Sequence, residues 1–267
     1  MTKPPHALGP TIVTLDIETA PITAYVWGLF KQNVGLNQIV QDWSILSVAW
    51  KYLGTPKVHY ADVSKNPDVR DDRELLHILW CILDEADFVI AQNGRRFDSK
   101  KINARFVQAG MPPPSPYRII DTLEMAKDVA AFTSNKLDWL SQILAPLNKK
   151  DHHDEFPGMA LWVECLKGNK RAWRCMKKYN IFDIPSCEEV YLKLRPYYSM
   201  HPNIAAHYPD ENVRCPRCAS VNIAPTGDST FTNVSEYKRY KCGDCGGFSR
   251  SRYTLNSTSK RKALLSC

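Results

Sequence analysis

Apolar residues along this chain follow two rhythms. The first run, Thr11-Ile12-Val13-Thr14-Leu15-Asp16-Ile17-Glu18, alternates. Val13, Leu15 and Ile17 share one face of a strand and Asp16 and Glu18 share the other. Pro21 ends it. A second apolar run, 45–52, meets a third, 57–61, across Gly54-Thr55-Pro56, which predicts an antiparallel hairpin. At Asp71-Asp72-Arg73-Glu74 the period lengthens. A carboxylate cap, a Glu three residues on, and the stripe Leu75, Leu76, Leu79, Ile82 and Leu83 predict a helix to about residue 86. Residues 88–91 read as a short buried strand ending at Asn93-Gly94, and a helix over 98–109 is stopped by Gly110 and a proline-rich loop. Residues 118–121 suit a last strand. Helical spacing then dominates over 122–130, 136–145, 159–167 and 170–194, with Asn169 a candidate cap for the last. Three strands, helix, strand, helix, strand, then helices predict an α/β layer whose first strands run antiparallel.

Beyond residue 198 the composition changes. Pro202, Pro209 and polar residues form a connector, which places a boundary near 200–212. The expected organisation is a domain over 10–199, a cysteine-bearing module over 212–254, and a flexible basic tail over 255–267. Charge changes this picture in one respect. The formal net charge is +7, yet from residue 200 onward there are 10 Lys/Arg against 5 Asp/Glu, while residues 1–199 hold 25 against 23. A basic appendage on a nearly balanced body suggests a nucleic-acid partner. A hydrophobic fraction of 44% with 24% charged residues argues against disorder. No run approaches the ~18 apolar residues of a membrane span. The first residues, MTKPPHALGP, carry no apolar core suited to a signal peptide. The nine cysteines are therefore expected in a reducing, cytoplasmic setting, as thiols or metal ligands.

Four acidic residues need a chemical reason. Asp16 and Glu18 project to one side of a strand, and two like charges held close cost energy unless a cation neutralises them. Asp98, in Asn93-Gly94-Arg95-Arg96-Phe97-Asp98, lies beyond a buried strand at the start of a helix. Asp183 follows Tyr179 by four residues, so ring and carboxylate share a helix face. Oxygen-only donors favour Mg²⁺ or Mn²⁺, and two such ions about 4 Å apart serve phosphodiester cleavage. An isolated Asp-x-Glu or Tyr-x-x-x-Asp is common by chance; three segments in this order and context are a sharper signal.

Leu15-Asp16-Ile17-Glu18-Thr19, Asn93 through Asp98, and Tyr179-Asn180-Ile181-Phe182-Asp183 together resemble the DEDD superfamily of 3′–5′ exonucleases, in the subgroup with tyrosine in the third motif. Proofreading domains of DNA polymerases belong to that subgroup. The stretch from Asp121-Thr122-Leu123 through Ser134-Asn135-Lys136-Leu137 resembles the segment between its second and third motifs, and the resemblance extends over about 10–198. It implies a ribonuclease H-like mixed sheet flanked by helices, with Asp16, Glu18, Asp98, Tyr179 and Asp183 as catalytic residues. By that resemblance Asp16 bridges two metals, Glu18 and Asp183 complete the site of the water-activating one, and Asp98 supports the second through water. Tyr179 orients the attacking water, and Asn93 holds the terminal nucleotide or orders its loop.

Basic residues flank these motifs. Arg95, Arg96, Lys100, Lys101 and Arg105 surround Asp98, and Lys170, Arg171, Arg174, Lys177 and Lys178 precede Tyr179. Of these, Arg95, Arg96, Lys100, Lys177 and Lys178 are, with Asn93, the candidate substrate contacts, able to neutralise phosphates entering an acidic site. A solvated helix face is the competing reading for each. Trp27-Gly28-Leu29-Phe30 could stack on a terminal base, but an aromatic cluster beside a strand is expected to pack in the core. His152-His153 with Asp154 reads as loop surface, since adjacent side chains point apart in regular structure.

Cys215-Pro216-Arg217-Cys218 and Cys242-Gly243-Asp244-Cys245 form two C-x2-C knuckles separated by 23 residues. Four thiolates satisfy tetrahedral Zn²⁺ and leave no position for water, so the metal would be structural. The pattern resembles a zinc ribbon, with 237–241 a strand entering the second knuckle. Arg214, Arg217, Lys238, Arg239, Lys241, Arg250 and Arg252, interleaved with Tyr237, Tyr240, Phe248 and Tyr253, suit nucleic acid; a replication or repair protein is the competing partner. Cys81, Cys165, Cys175 and Cys187 are expected as buried small hydrophobes and Cys267 as a loose thiol.

The expected activity is a two-metal (Mg²⁺ or Mn²⁺) 3′–5′ exonuclease releasing mononucleotides from single-stranded DNA ends, in phage or bacterial replication or repair. An RNA-directed exoribonuclease and a catalytically silent nucleic-acid-binding or recruitment protein are the alternatives.

Overall fold

The computed structural model describes residues 9–146 and 155–265. His152, His153, Asp154 and Cys267 lie outside the described residues. The chain divides into two compact units, one built on Thr11–Tyr191 and the other on Leu192 onward.

The first unit opens with β1 (Ile12–Thr19), a small ribbon of β2 (Thr23–Ala24) and β3 (Ile39–Gln41), and then the hairpin β4 (Ile45–Tyr52) and β5 (His59–Asp62). Helix α1 (Arg73–Glu85), β6 (Phe88–Ala91), α2 (Asp98–Gln108) and β7 (Arg118–Asp121) follow, and α3 (Thr122–Val129), α4 (Leu137–Leu144), α5 (Ala160–Leu166) and α6 (Lys170–Leu194) complete the order. The five-stranded sheet runs β5-β4-β1-β6-β7. β4 is antiparallel to β1 and to β5, whereas β6 is parallel to β1 and to β7. This is the mixed sheet flanked by helices that the sequence order predicts. Its inner strands are buried on both faces: β6 is buried throughout, and β4 at all but two positions.

The hydrophobic alternation of β1 works as expected. Val13, Leu15 and Ile17 enter one core cluster with Leu75, Leu76 and Leu79 of α1, Ile102 and Phe106 of α2, and Trp173 and Met176 of α6. Each such side chain contributes about 1.5–3 kcal/mol by leaving water. Asn169 caps α6 through its Oδ1, which accepts from the N–H of Arg171 (2.9 Å) and Ala172 (3.4 Å). The helix continues through Pro185, which removes the donor to the Ile181 carbonyl.

Three expectations are corrected. The cap of α1 falls one residue later than the Asp71 that the Glu74 spacing predicts: Asp71 Oδ1 accepts from the Arg73 N–H at 3.2 Å, but the N-cap residue is Asp72, and its carboxylate makes no capping bond. It is buried, accepts from the N–H of Ile45 (2.9 Å), and forms a two-pronged pair with Arg105 (2.7 and 2.8 Å), tying α1 to β4 and α2. Trp27, Leu29 and Phe30 are not core: they are 98%, 89% and 86% exposed. They lie on the excursion between β1 and β4, where the β2–β3 ribbon pairs through only two positions and belongs to a sheet of its own. Cys165 and Cys187 are buried, but Cys81 is exposed and Cys175 only partly covered.

The second unit contains a short 3-10 turn (Ile204–His207) and the antiparallel sheet β10-β9-β8, formed by β8 (Ile223–Phe231), β9 (Glu236–Cys242) and β10 (Phe248–Thr254). The segment expected as a tail carries α7 (Thr258–Ala263), capped by the Ser257 hydroxyl, which accepts from the Lys260 N–H at 3.2 Å. Among the described residues no helix is long and apolar enough to cross a membrane.

Candidate active site and cysteine cluster

The central strand β1 presents Asp16 and Glu18 on the face opposite to Leu15 and Ile17, and α6 brings Asp183 to the same point. Carboxylate oxygens of Asp16, Glu18 and Asp183 lie within 4.8 Å of one another. Asp183 is buried and the other two are partly covered. The strand pairing slips immediately after Glu18, between Glu18 and Thr19, as expected where a bulge re-aims side chains at a site edge. Three like charges at this distance repel strongly, and an all-oxygen donor set suits a hard divalent cation.

Asp98 stands apart from that group of three. Its carboxyl is buried at the start of α2, and Oδ1 accepts from the Ile17 N–H at 3.2 Å, between the two β1 carboxylates. Burial raises its pKa to about 7; the N–H donors of Ile17 and Asp98 oppose the rise and Asp121 adds to it. Asp98 thus sits behind the cluster, fastened to the strand that carries it.

The loop before Asp98 is held by its backbone. Asn93 adopts φ 61°, and its N–H and that of Arg95 donate to the buried Asp121 carboxylate (3.0 and 3.1 Å), which also caps α3 through the N–H of Leu123. Gly94 is required by packing: a Cβ there would come 2.5 Å from the Ala91 Cβ.

Two residues that the sequence reading did not single out complete the arrangement. Asn180, fully buried, donates through Nδ2 to Asp16 Oδ2 at 2.6 Å and accepts at Oδ1 from the Ser47 hydroxyl at 3.0 Å. Ser47 stands directly across from Glu18 in the β1–β4 ladder. Trp162 of α5 donates its indole N–H to Glu18 Oε2 at 3.0 Å, and its ring meets Tyr179 edge-on, with centroids 6.1 Å apart. A polar residue on the inner face of the motif helix was the available signal for Asn180. For Trp162 there was none, because α5 approaches the site only in the folded chain.

A cleft of about 610 Å³ opens beside Glu18, lined by Trp43, Phe97, Lys101, Met159 and Trp162. Lys101 Nζ sits 3.7 Å from the centre of the Trp43 ring, and burial lowers its pKa. The remaining basic residues divide. Arg95 pairs with Glu124 (3.0 Å) and donates to the Ile119 carbonyl, and Arg105 is committed to Asp72. Arg96 and Lys100 are exposed. Lys178 lies over Phe182, while Lys170, Arg174 and Lys177 line a different cleft against Tyr60 and Asp62.

In the second unit the Sγ atoms of Cys215, Cys218, Cys242 and Cys245 also lie within 4.8 Å of one another. The Cys215–Cys245 and Cys218–Cys242 separations are 3.6 and 3.5 Å. A tetrahedral ion with ~2.3 Å metal–sulfur bonds needs edges of about 3.8 Å, so the four sulfurs fit zinc. The two knuckles repeat one backbone pattern. Ala219 N–H donates to the Cys215 carbonyl and Gly246 N–H to that of Cys242, while Cys215 and Cys242 N–H donate to Ser220 and Gly247. The residue after each second cysteine is left-handed, Ala219 at φ 58° and Gly246 at φ 75°. Burial pushes the Cys242 thiol up, but the N–H groups of Cys245 and Asp244 and the neighbouring thiols outweigh it and bring it to about 7. Burial raises Cys218 and Cys245.

No curated protein matches the chain. One similar solved structure is the family B DNA polymerase from the hyperthermophilic archaeon Pyrobaculum calidifontis, with 12% identity and a TM-score of 0.46 over 71% of this chain. The match spans only 26% of that polymerase's length. The family model of the ribonuclease H superfamily matches residues 45–195, more than half of the sequence, taking in Asp98, Tyr179 and Asp183. With the mixed sheet and the acid cluster at its centre, the chain belongs to the ribonuclease H superfamily.

Proposed function

We propose that the protein is a two-metal-dependent 3′–5′ exonuclease that hydrolyses the terminal phosphodiester of single-stranded DNA and releases mononucleotides. The observation that carries this reading is the convergence of Asp16, Glu18 and Asp183 oxygens within 4.8 Å on the sheet of a ribonuclease H superfamily domain. When bound, Mg²⁺ or Mn²⁺ supplies Lewis acidity and lowers the pKa of a coordinated water. Asp16, Glu18 and Asp183 would hold the ions directly, with Asp98 in support. Asn180 fixes the rotamer of Asp16, and Trp162 fixes that of Glu18 while bracing the Tyr179 ring. Tyr179 orients the attacking water through its phenol, a role that needs no ionisation. The aromatic cleft beside Glu18 receives the terminal nucleoside, whose base stacks on its walls. Lys101, inside that cleft, meets the phosphate more directly than Lys177 does.

In the second unit the four cysteines hold one structural Zn²⁺ in a zinc ribbon, and the ion substitutes for the core that so short a segment lacks. Incubating the protein with end-labelled DNA and RNA strands, with Mg²⁺ or Mn²⁺ and with EDTA, tests the whole reading. Stepwise loss from the 3′ end of DNA, abolished by Asp16→Ala, is the expected result. Internal cuts, or activity that survives Asp16→Ala, would overturn it, and preferential loss from RNA would move the substrate to RNA.

A further inference from the structure

The sheet of the second unit is irregular in one place. β9 runs in register until its middle, but both of its neighbours slip there. Pro225 and Ser229 of β8 face Tyr240 and Lys238, so four steps on β8 oppose two on β9. Arg250 and Thr254 of β10 face Arg239 and Tyr237, again four steps against two. Bulges on both flanks of one strand, at the same level, re-aim side chains locally. Gly227, at φ 86°, lies in the first of them.

The irregularity borders a cleft of about 470 Å³ whose lining includes Arg217, Arg239, Arg250, Arg252, Thr230 and Phe248, and no acidic residue. Arg250 and Arg239 are direct cross-strand partners. Like charges in that relation destabilise a sheet. Asp228 pairs with Arg239 and offsets part of the repulsion. Arg217 is fixed by donating to the carbonyls of Tyr198 and Phe248, yet a guanidinium has further N–H groups to offer. Arg250 lies 4.1 Å over the Tyr237 ring and remains exposed, as does Arg252. Four guanidiniums are thus gathered in one concavity, two of them pre-oriented, with hydroxyls between and an exposed ring, Phe248, on the wall. Neutral ligands gain little from such a place; phosphate oxygens, which take planar two-pronged donors, gain much.

We propose that this cleft is a phosphodiester-binding site that holds a nucleic-acid strand by its backbone. It deepens the nuclease reading by giving the second unit a grip of its own, and it depends on none of the residues of the acid cluster. Binding of a fluorescein-labelled oligothymidylate and of an abasic strand of equal length is measured by anisotropy, on the full chain, without added divalent ions. Cleavage therefore does not enter, and failure of the exonuclease assay leaves this result readable. Arg250→Gln with Arg252→Gln is expected to weaken both probes about tenfold at low salt and to reduce the salt slope by about 1.4, roughly 0.7 for each lost contact to a single strand. Lys238→Gln with Lys262→Gln, which removes the same charge from outside the cleft, should cost clearly less. Equal loss in both pairs would mean diffuse charge rather than a site, and no loss in the first pair would mean that the cleft serves a protein partner; either overturns the proposal. Zinc content and the melting profile are read in parallel. Should the double variant misfold, Arg252→Gln alone must still lose salt-dependent affinity for the site to stand.

Discussion

The acid cluster and the cysteine cluster each gather ligand atoms within the same 4.8 Å, but by opposite means. Asp16 and Asp183 are far apart in sequence and meet only because β1 and α6 share a hydrophobic core that includes Leu15, Ile17, Trp173 and Met176. Their rotamers are then set by side chains: Asn180 on Asp16 and Trp162 on Glu18. The four thiols are set by backbone, two five-residue turns with matching hydrogen bonds and a left-handed residue at the same position in each. The first site is a product of packing between elements distant in sequence. The second has local turns but, among the described residues of its sheet, only Cys242 is buried, so a metal ion held by the four thiols would supply cohesion that this sheet lacks.

The largest effect should come from breaking the second site at its ligands. Cys215→Ser with Cys242→Ser should abolish zinc content and unfold the second unit, while the transition of the first unit stays in place in a melting experiment. Unchanged zinc would refute the ribbon. At the first site Asp16→Ala should leave folding intact and lower single-turnover cleavage by about 10³. A marked loss of helical signal in the same variant would mean that its carboxylate supports the fold instead.

Smaller changes probe how each site is held. Trp162→Phe keeps the ring against Tyr179 but removes the donor to Glu18, and should cost about 10- to 100-fold in Mn²⁺ affinity, as measured by titration calorimetry. Asn180→Asp should be worse than Asn180→Ala, because it sets a further negative charge 2.6 Å from Asp16 in a fully buried position. The smallest effect is the cleanest contrast. Ala219→Gly relieves a left-handed alanine and should stabilise the zinc-bound second unit by about 1 kcal/mol, with no change in the first. Stabilisation of both units would contradict their division.

The exposed excursion marks where pattern reading met its limit. Trp27, Leu29 and Phe30 are large and apolar, and composition alone places such residues inside. They are exposed because the β2–β3 ribbon forms a two-stranded sheet by itself, and apolar surface is buried only where a second layer exists to meet it. The Asp72 carboxylate shows the same limit for a charge. Its position suits a cap, but the nearby Arg105 guanidinium and the Ile45 N–H compete for it and win, since an ion pair with further hydrogen bonds holds a buried carboxylate better than an N-terminal turn does.

What the amino-acid sequence by itself determined is whatever depends on short-range periodicity. It was enough for the elements of the sheet layer, the pairing of Asp16 with Glu18, the Tyr179–Asp183 helix face and the two C-x2-C knuckles. These follow from alternation on a strand, the turn of a helix or the bite of a tight loop, all set within about five residues. Only the tertiary structure decided that Asp183 joins the β1 carboxylates while Asp98 stands behind them. It also decided that Asn180 and Trp162 orient Asp16 and Glu18, that Arg105 is structural while Lys101 enters the cleft, and that Arg239 faces Arg250. Each of these depends on which elements the core brings together, a choice made by the summed burial of many side chains and not encoded at any single position.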